Sequence, residues 1–420
     1  MPPLKILICG GGLAGNALAF WLTQQNHSVT VLERFPSLRL NGLQIDLRGH
    51  GVEAMKRMGL SAAFAAHAVP EQGLAFVNSA GKRKAWFPAN TSGKGTQGFT
   101  TEHEIMRGDF CRVMVDAVGD RVKYVFGKTV RSFEQEERGV RVQYSDGGSG
   151  EFDIFVGADG QWSHTRAMML GPGIPDPVTF LGLYIAYFTV PLQQGQGEEM
   201  KGEAYIATGK RVMFTRRHRA DTIQVYLMSP ILSGGMEGVK KGDVEGEKRA
   251  FKRDFSGAGW KADQLMKWME ASEDFYCERL STVDCASWCD GRVVLLGDAG
   301  YCPSAATGMG TTSAIVGAYV LAGEIGKYCS GAGGSKEAVP AALKAYDERF
   351  RPFMDQVKEG INPETGYWTK IPTSQWGIAV LNFLLGLAAF LRLDAFAKLV
   401  SHEDVKGWSL PEYEGMDMRS

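Results

Sequence analysis

Two periodicities alternate along the chain. Leu4-Lys5-Ile6-Leu7-Ile8-Cys9 is a short, nearly continuous apolar run, the pattern of a strand buried on both faces. An Ala-rich apolar stretch from Ala17 to Leu22 predicts a helix, and Ser28-Val29-Thr30-Val31-Leu32 predicts a second strand ending at Glu33. A loop runs through Leu43 to Gly49, followed by a helix through Val52 to Met58. From about Gly73 to Phe99 the pattern shortens to Leu74–Val77 and Lys84–Phe87, broken at Asn78-Ser79-Ala80-Gly81; this reads as a β-hairpin. Ile105 to Phe110 then leads into an amphipathic helix carrying Phe110, Met114, Val115 and Val118 on one side.

Val122–Phe126, Val130–Phe133 and Val140–Tyr144 are predicted strands, the last two in a meander, and Asp146-Gly147-Gly148 is the turn before Phe152–Val156. Strand-like pattern returns over Phe180–Val190, Glu203–Ala207, Arg211–Thr215 and Thr222–Met228, which with the hairpin predicts one antiparallel sheet. Residues 236–276 turn helical and charged. Arg292–Leu296 predicts a strand, and Ile315 to Ile325 lie on a long helix. A Gly/Ser-rich connector over Ser330–Ser335 precedes a helix spanning about 337–357.

Trp376 to Leu391 is apolar apart from Asn382. As a helix it reaches ~24 Å, short of a ~30 Å hydrocarbon core. Extension to Val400 brings in Arg392, Asp394 and Lys398, which are costly at depth. The expectation is a helix packed over the junction of two domains, with membrane contact by 376–400 as the alternative.

Composition acts mainly by exclusion. Lys plus Arg number 46 against 47 Asp plus Glu, so nothing points to nucleic acid. The seven cysteines are scattered and form no Cys-x-x-Cys pair, and Cys285 and Cys289 have no His nearby; neither a disulfide framework nor a metal site is expected. The N-terminus lacks a basic region plus apolar core, which makes a reducing, cytoplasmic setting the default; monomer and dimer both stay open. Glycine is frequent at 53 of 420 residues, against a typical ~7%, as several ligand-cradling turns would require.

The first such turn is Gly10-Gly11-Gly12-Leu13-Ala14-Gly15, which fits Gly-x-Gly-x-x-Gly between strand and helix. Glycines permit the tight turn and the close approach of a pyrophosphate, and the helix start offers free N–H groups to the anion. Glu33 can accept hydrogen bonds from both hydroxyls of an adenosine ribose and disfavours a 2′-phosphate there. The stretch alone leaves NAD and FAD both open. Gly157-Ala158-Asp159-Gly160 and Gly297-Asp298-Ala299-Gly300 repeat the logic of a Gly-rich turn with an acid. Each alone reads equally as a plain β-turn.

Together with Pro303 and Gly308-x-Gly310, these three signatures resemble class A flavoprotein monooxygenases, the aromatic hydroxylase family, in order and spacing over roughly residues 4–355. Gln44–Gly49, Arg107-Gly108-Asp109 and Gly297–Ser304 are similar to the tetracycline-inactivating branch and to fungal secondary-metabolite relatives. The resemblance implies an α/β fold: a Rossmann-type FAD-binding domain interleaved with an antiparallel-sheet substrate domain, plus C-terminal helices. The FAD-binding domain would take residues 1–72, 103–178 and 283–330, the substrate domain 73–102 and 179–282, and the C-terminal helices 336–420. It implies a hydroxylase that uses FAD, NADPH or NADH, O2 and a small electron-rich aromatic, polyketide or tetracycline-like substrate, through a C4a-hydroperoxyflavin. The rival readings are another flavin oxidoreductase such as a dehydrogenase, or a non-catalytic flavin-binding protein. A halogenase reading lacks its Trp-x-Trp-x-Ile-Pro signature.

Roles follow from the same resemblance. Gly10, Gly12, Leu13, Ala14 and Gly15 would cradle the pyrophosphate, and Glu33 would hold the ribose with Arg34 beside the adenine portion. Arg107 would reach the ribityl–pyrophosphate region, and Asp298 a ribityl or phosphate-side group. Asp46 and Arg48 would lie near the isoalloxazine, Arg48 beside the reacting ring. Asp159 would bridge the FAD-associated and NAD(P)H-associated turns. Gly308, Met309 and Gly310 would present a helix N-terminus to the pyrimidine edge, where reduced flavin carries negative charge. Met309 and Thr312 stand where many relatives carry Gln and Asn, and Gly317 replaces a common acid. His164 and His218 are weak candidate bases, paired with no nucleophile motif. Arg211, Arg216 and Arg217 fall on the substrate sheet; a solvated face is the expectation and an anionic ligand the alternative.

Overall fold

The run Lys5–Cys9 is apolar because both faces of its sheet are covered. In the computed structural model, which describes residues 3–39, 42–90, 100–196, 198–230, 235–236, 238–330, 334–364, 366–391 and 405–419, it is a central strand. The six-stranded sheet runs in the order Cys289–Asp290, Val293–Leu295, Ile154–Gly157, Lys5–Cys9, Ser28–Glu33, Val122–Phe126. Every pairing is parallel except the first. Ile6 and Ile8 join one core with the helices Leu13–Gln24, Arg107–Val118 and Gly310–Cys329, while Leu7 and Cys9 face the other way. There they meet Val130, Val140 and Val142 of a three-stranded meander.

The expected strand Phe152–Val156 is two. Ser149–Phe152 closes the meander, and Ile154–Gly157 enters the parallel sheet. Asp153 sits at the break, where its carboxylate accepts the Lys5 N–H at 2.7 Å and pairs with Lys336 Nζ at 2.8 Å. A buried, satisfied acid pins the chain at the change of sheet.

The second sheet has seven strands: Tyr276–Val283, Val178–Pro191, Thr222–Pro230, Arg211–Arg219, Gly202–Ala207, Gly73–Val77 and Arg83–Pro88. The hairpin joins it as expected. One pairing departs from the antiparallel pattern, since Gly202–Ala207 and Gly73–Val77 run parallel. The chain returns to the first domain between them, so no hairpin dictates their direction. One face carries the helices Val244–Phe255 and Ala262–Ala271; the other faces the first domain. The expected loop at Leu43–Gly49 holds a short strand, Gln44–Asp46, paired with Glu104–Met106.

The helix over Gln375–Phe390 lies on the outer hairpin strand Arg83–Pro88 of the second sheet, not across the domain junction. A Cβ on Gly386 would stand 2.8 Å from the Lys84 carbonyl oxygen, so helix and strand meet backbone to backbone. Among the described residues, no helix is long and apolar enough to cross a membrane. The middle of the 330–335 connector and the extension through Arg392, Asp394 and Lys398 lie outside the described residues.

Candidate active site

Three strand ends converge on one groove. Gly10, at φ 117°, leaves the first strand with its N–H donated to the Leu32 carbonyl at 2.8 Å. A Cβ there would lie 2.2 Å from the Ala158 carbonyl oxygen, and one on Gly15 would lie 2.0 Å from that of Gly10. Both positions are closed to any side chain. At Gly12 the only neighbour of such a Cβ among the described residues is Arg107 Nη2 at 3.2 Å, so this glycine forms the open floor. The N–H groups of Leu13, Ala14 and Gly15 open the helix and have no acceptor among the described residues. Arg107 forms no ion pair among them either.

Glu33 is buried at the end of its strand, where Oε2 accepts the Gly11 N–H at 2.8 Å and Oε1 that of Phe35 at 3.0 Å. It pins the first turn and keeps lone pairs for a further donor. Arg34 is exposed, with its guanidinium 5.1 Å from the centre of the Phe35 ring.

The third turn packs on the first: a Cβ on Gly297 would stand 2.9 Å from that of Ala14. Asp298 is crowded by protein but opens to the groove, and the crowding pushes its carboxyl up against the opposing pull of the Cys302 thiol and Arg107. Gly308 turns left-handed at φ 66° into the helix Gly310–Cys329. The N–H groups of Gly310, Thr311 and Thr312 likewise have no acceptor among the described residues. Arg48 Nε lies 3.9 Å from the position of a Gly308 Cβ and pairs with Asp46.

The second sheet presents an apolar wall to this turn. Leu183, Ile185, Tyr187, Tyr226 and Leu280 pack with Ala306, two residues before Gly308. Tyr187 and Tyr226 meet edge to face at 5.3 Å, and their hydroxyls are donated to Glu278 and Gln224. Orphan N–H groups at two helix starts, an unpaired arginine and a glycine floor together suit a dinucleotide with a pyrophosphate.

Residues 3–360 match the family described as "FAD binding domain". The chain is 46% identical to the FAD-dependent monooxygenase asL4 of Sarocladium schorii, covering 98% of this chain and 99% of that one. It is 37% identical to the flavin-dependent monooxygenase eupH of Phoma sp, covering 99% of each. The crystal structure of tetracycline destructase Tet(51) superposes with a TM-score of 0.76 at 26% identity, over 99% of this chain and 100% of that one. The chain belongs to the FAD-dependent monooxygenases of the aromatic hydroxylase type.

The three departures from the family pattern have local physical reasons in this monooxygenase. Met309 is buried, so only its backbone borders the groove. The Thr312 hydroxyl accepts the Arg48 N–H at 2.9 Å and is donated to the Arg48 carbonyl at 3.2 Å, tying the 44–49 segment to the helix start. Gly317 makes room for Tyr301, whose hydroxyl would stand 2.1 Å from a Cβ at 317.

Among the described residues, the side-chain hydrogen bonds of Asp159 stay local. Its carboxylate accepts from the Ser163 hydroxyl and from the Thr165 N–H at 3.0 Å, within its own turn and helix. The second and third turns are linked by Arg166, which no local pattern separates from other basic residues. Fully buried, it donates to the carbonyls of Gln161 at 2.7 Å and Ala299 at 2.8 Å and pairs with Asp176. Ser304, at φ 70°, was also hidden; its hydroxyl accepts the Ala306 N–H at 3.3 Å and holds a conformation that L-residues avoid.

The expectation of a solvated face for Arg211, Arg216 and Arg217 does not hold. Arg211 donates to the Thr208 carbonyl, Arg217 to those of Leu192 and Ala220, and Arg216 to Glu71 and Glu104. Alternation puts Arg211 and Arg217 on one face of their strand and Arg216 on the other, and other elements cover both. His164 is exposed and His218 half-buried, and neither hydrogen-bonds a nucleophile among the described residues. No metal-holding cluster occurs among those residues.

A cationic, aromatic rim flanks the groove. Lys241 Nζ lies 3.7 Å from the Trp162 ring centre, and Arg39 stands over Phe35 at 5.4 Å and Tyr276 at 5.8 Å. Burial, then Arg34 and Arg279, pulls Lys241 down to about 8. None of Arg34, Arg39 and Lys241 forms an ion pair among the described residues; Glu247 and Glu278 act on Lys241, and Glu33 on Arg39, only at longer range.

Proposed function

We propose that this monooxygenase hydroxylates an electron-rich carbon of an aromatic, polyketide or tetracycline-like substrate, with NADPH or NADH as reductant and O2 as the oxygen source. The carrying observation is the aromatic wall of Tyr187 and Tyr226 set against the Ala306–Gly310 turn, with Arg48 at its edge. Bound FAD supplies the electron transfer and oxygen activation. The chain's own residues bind, orient and exclude water.

Gly10, Gly12, Leu13, Ala14 and Gly15, with Arg107, would hold the pyrophosphate; Glu33 would hold the ribose, with Arg34 beside the adenine. Asp298 would meet the ribityl side, and Gly308, Met309 and Gly310 would aim the helix N–H groups at the pyrimidine edge. Arg48, held by Asp46 and Thr312, would position the substrate's reacting ring. Asp159 would act through its turn. The rim of Arg34, Arg39 and Lys241 suits the phosphates of NAD(P)H. Likeness to tetracycline destructases and fungal monooxygenases supports a polycycle over a simple phenol.

The test is a screen of phenols, anthraquinone-like polyketides and tetracyclines for stimulated NAD(P)H oxidation, with mass spectrometry for a gain of one oxygen. FAD binding without any substrate-stimulated oxidation would favour a non-catalytic flavoprotein. Turnover confined to monocyclic phenols would remove the polycycle reading.

A further inference from the structure

The helix Gln375–Phe390 contains no charged residue and, among the described residues, is held from one side only. Ile378 and Leu385 are its buried residues, turned toward the protein. Trp376, Phe383 and Phe390 are 79%, 70% and 83% exposed, and Val380, Leu384, Leu387 and Leu391 are exposed between and beyond them. Spacings of three, four and seven place these side chains on one stripe. Single exposed apolar residues are ordinary, but a contiguous stripe of seven marks a surface that meets something.

Length and charge decide the occupant. The stripe runs about 24 Å along the helix. In a two-fold pair of copies the same patch meets itself, so the exposed lysines beside it would gather like charge, which disfavours a second copy. The helix is also too short to span a bilayer. A lipid surface requires no matching partner face, and it favours cations beside the apolar stripe. Lys82, Arg83 and Lys84 lie on the hairpin under the helix, and Lys370 precedes its start; all four are exposed. Arg83 approaches Glu199 at 3.6 Å, whereas Lys82, Lys84 and Lys370 form no ion pair among the described residues.

We propose that Gln375–Phe390 is an interfacial helix that lies flat in the surface of an anionic bilayer. Its bare stripe enters the acyl boundary, and the neighbouring lysines meet headgroup phosphates. The second sheet, on which the helix is seated, then faces the membrane with its hairpin edge.

The experiment is co-sedimentation of the full-length protein with vesicles of phosphatidylcholine alone or with about 30% phosphatidylserine, a proportion chosen to give an anionic surface. Binding to the anionic vesicles is expected, weakened at least about 10-fold by Phe383→Ser with Phe390→Ser, and weakened also by Lys82→Glu with Lys84→Glu or by raised salt. Absence of vesicle binding would overturn the proposal, as would equal binding to neutral vesicles. So would binding that both variants leave unchanged. Self-association in lipid-free solution that the Phe variant abolishes, with no vesicle binding, would assign the stripe to a second copy. Because every changed side chain is exposed, circular dichroism and thermal midpoints of the variants should match the parent.

Discussion

Arg216 holds Glu71 by two parallel hydrogen bonds, Nε to Oε2 at 2.8 Å and Nη2 to Oε1 at 2.9 Å. The same guanidinium donates to Glu104, so one cation serves two carboxylates that are 1% and 2% exposed. The cluster joins the second sheet to the Gln44–Asp46 and Glu104–Met106 strands beside Arg48. Removing the cation would leave like charges buried and unpaired. Arg216→Met should therefore cost about 3–5 kcal/mol in denaturant unfolding. A cost below about 1 kcal/mol is what an exposed pair would give, and it would contradict the burial.

Glu104 gives this cluster a pH dependence. Burial, with Glu71 and Asp46 adding and Arg216 opposing, pushes its carboxyl up to about 7. Between the ordinary carboxyl value of 4.5 and that value, the folded chain keeps a proton that the unfolded chain releases. Its stabilising contribution is therefore full below 4.5 and is lost as pH rises through 7. Glu104→Gln fixes the neutral form and should flatten the fall of unfolding free energy between about pH 4.5 and 7. Equal slopes in parent and variant would place the proton elsewhere.

The phosphate turn separates two kinds of residue. Gly10→Ala puts a methyl into the Ala158 carbonyl at a φ that L-residues resist, and should yield little folded, FAD-loaded protein. Arg107→Ala removes only a charge beside Gly12. It should weaken FAD binding about 10- to 100-fold, the worth of a charge-assisted hydrogen bond, with the far-ultraviolet spectrum unchanged. Fluorescence titration of the apoprotein with FAD measures both, and unaltered affinity in Arg107→Ala would remove it from the pyrophosphate.

What could be seen in the sequence was whatever is written in short range. The strand–Gly turn–helix unit, the hairpin at Asn78–Gly81 and the long helix through Ile315 each carry their own periodicity, and they stand where the pattern puts them. The site turns were legible because glycine and acid recur at strand ends. Hidden were the pairings that depend on distant partners. Arg166 to Ala299 spans 133 residues and Arg216 to Glu71 spans 145, and no local pattern distinguishes such arginines from solvated ones. The division at Asp153 was hidden for the same reason, because the Lys5 N–H that its carboxylate binds lies 148 residues away.

Arg48 stands between substrate and turn in the proposed arrangement. Its backbone is fixed by Thr312 and its guanidinium by Asp46, so Arg48→Ala changes the charge beside Gly308 without loosening the segment. With an accepted substrate, coupled turnover should fall about 10- to 100-fold, and the NAD(P)H consumed should appear as hydrogen peroxide. FAD affinity should hold. Product and peroxide measured against NAD(P)H consumed decide it, and unchanged coupling would return Arg48 to a structural part in its loop.

The C-terminal tail should matter for stability and little for the cofactor. Glu324 is fully buried in its helix, where it accepts the Tyr413 hydroxyl at 2.7 Å and pairs with Arg349 Nε at 2.6 Å. The Tyr413 ring occupies the space over Gly323, and a Cβ there would stand 2.2 Å from it. Arg57 donates to the Tyr319 hydroxyl at 2.6 Å and the Pro411 carbonyl at 2.9 Å, and pairs with Glu412. These contacts strap the tail to the far half of the helix Gly310–Cys329 and to Arg57, the last residue of the helix His50–Arg57. Tyr413→Phe removes one donor from a buried carboxylate and should cost about 1–3 kcal/mol. Deleting 405–420 should cost more, since Glu324 loses the Tyr413 donor while Arg57 loses Pro411 and Glu412, which leaves Glu324 with Arg349 and Arg57 with Glu53 and Tyr319. Below the lowered melting point, FAD affinity should stay within about 2-fold, because the contacts of the described tail residues lie away from the three turns. A tail deletion that melts like the parent would show the strap to be idle, and one that loses FAD while still folded would connect it to the groove.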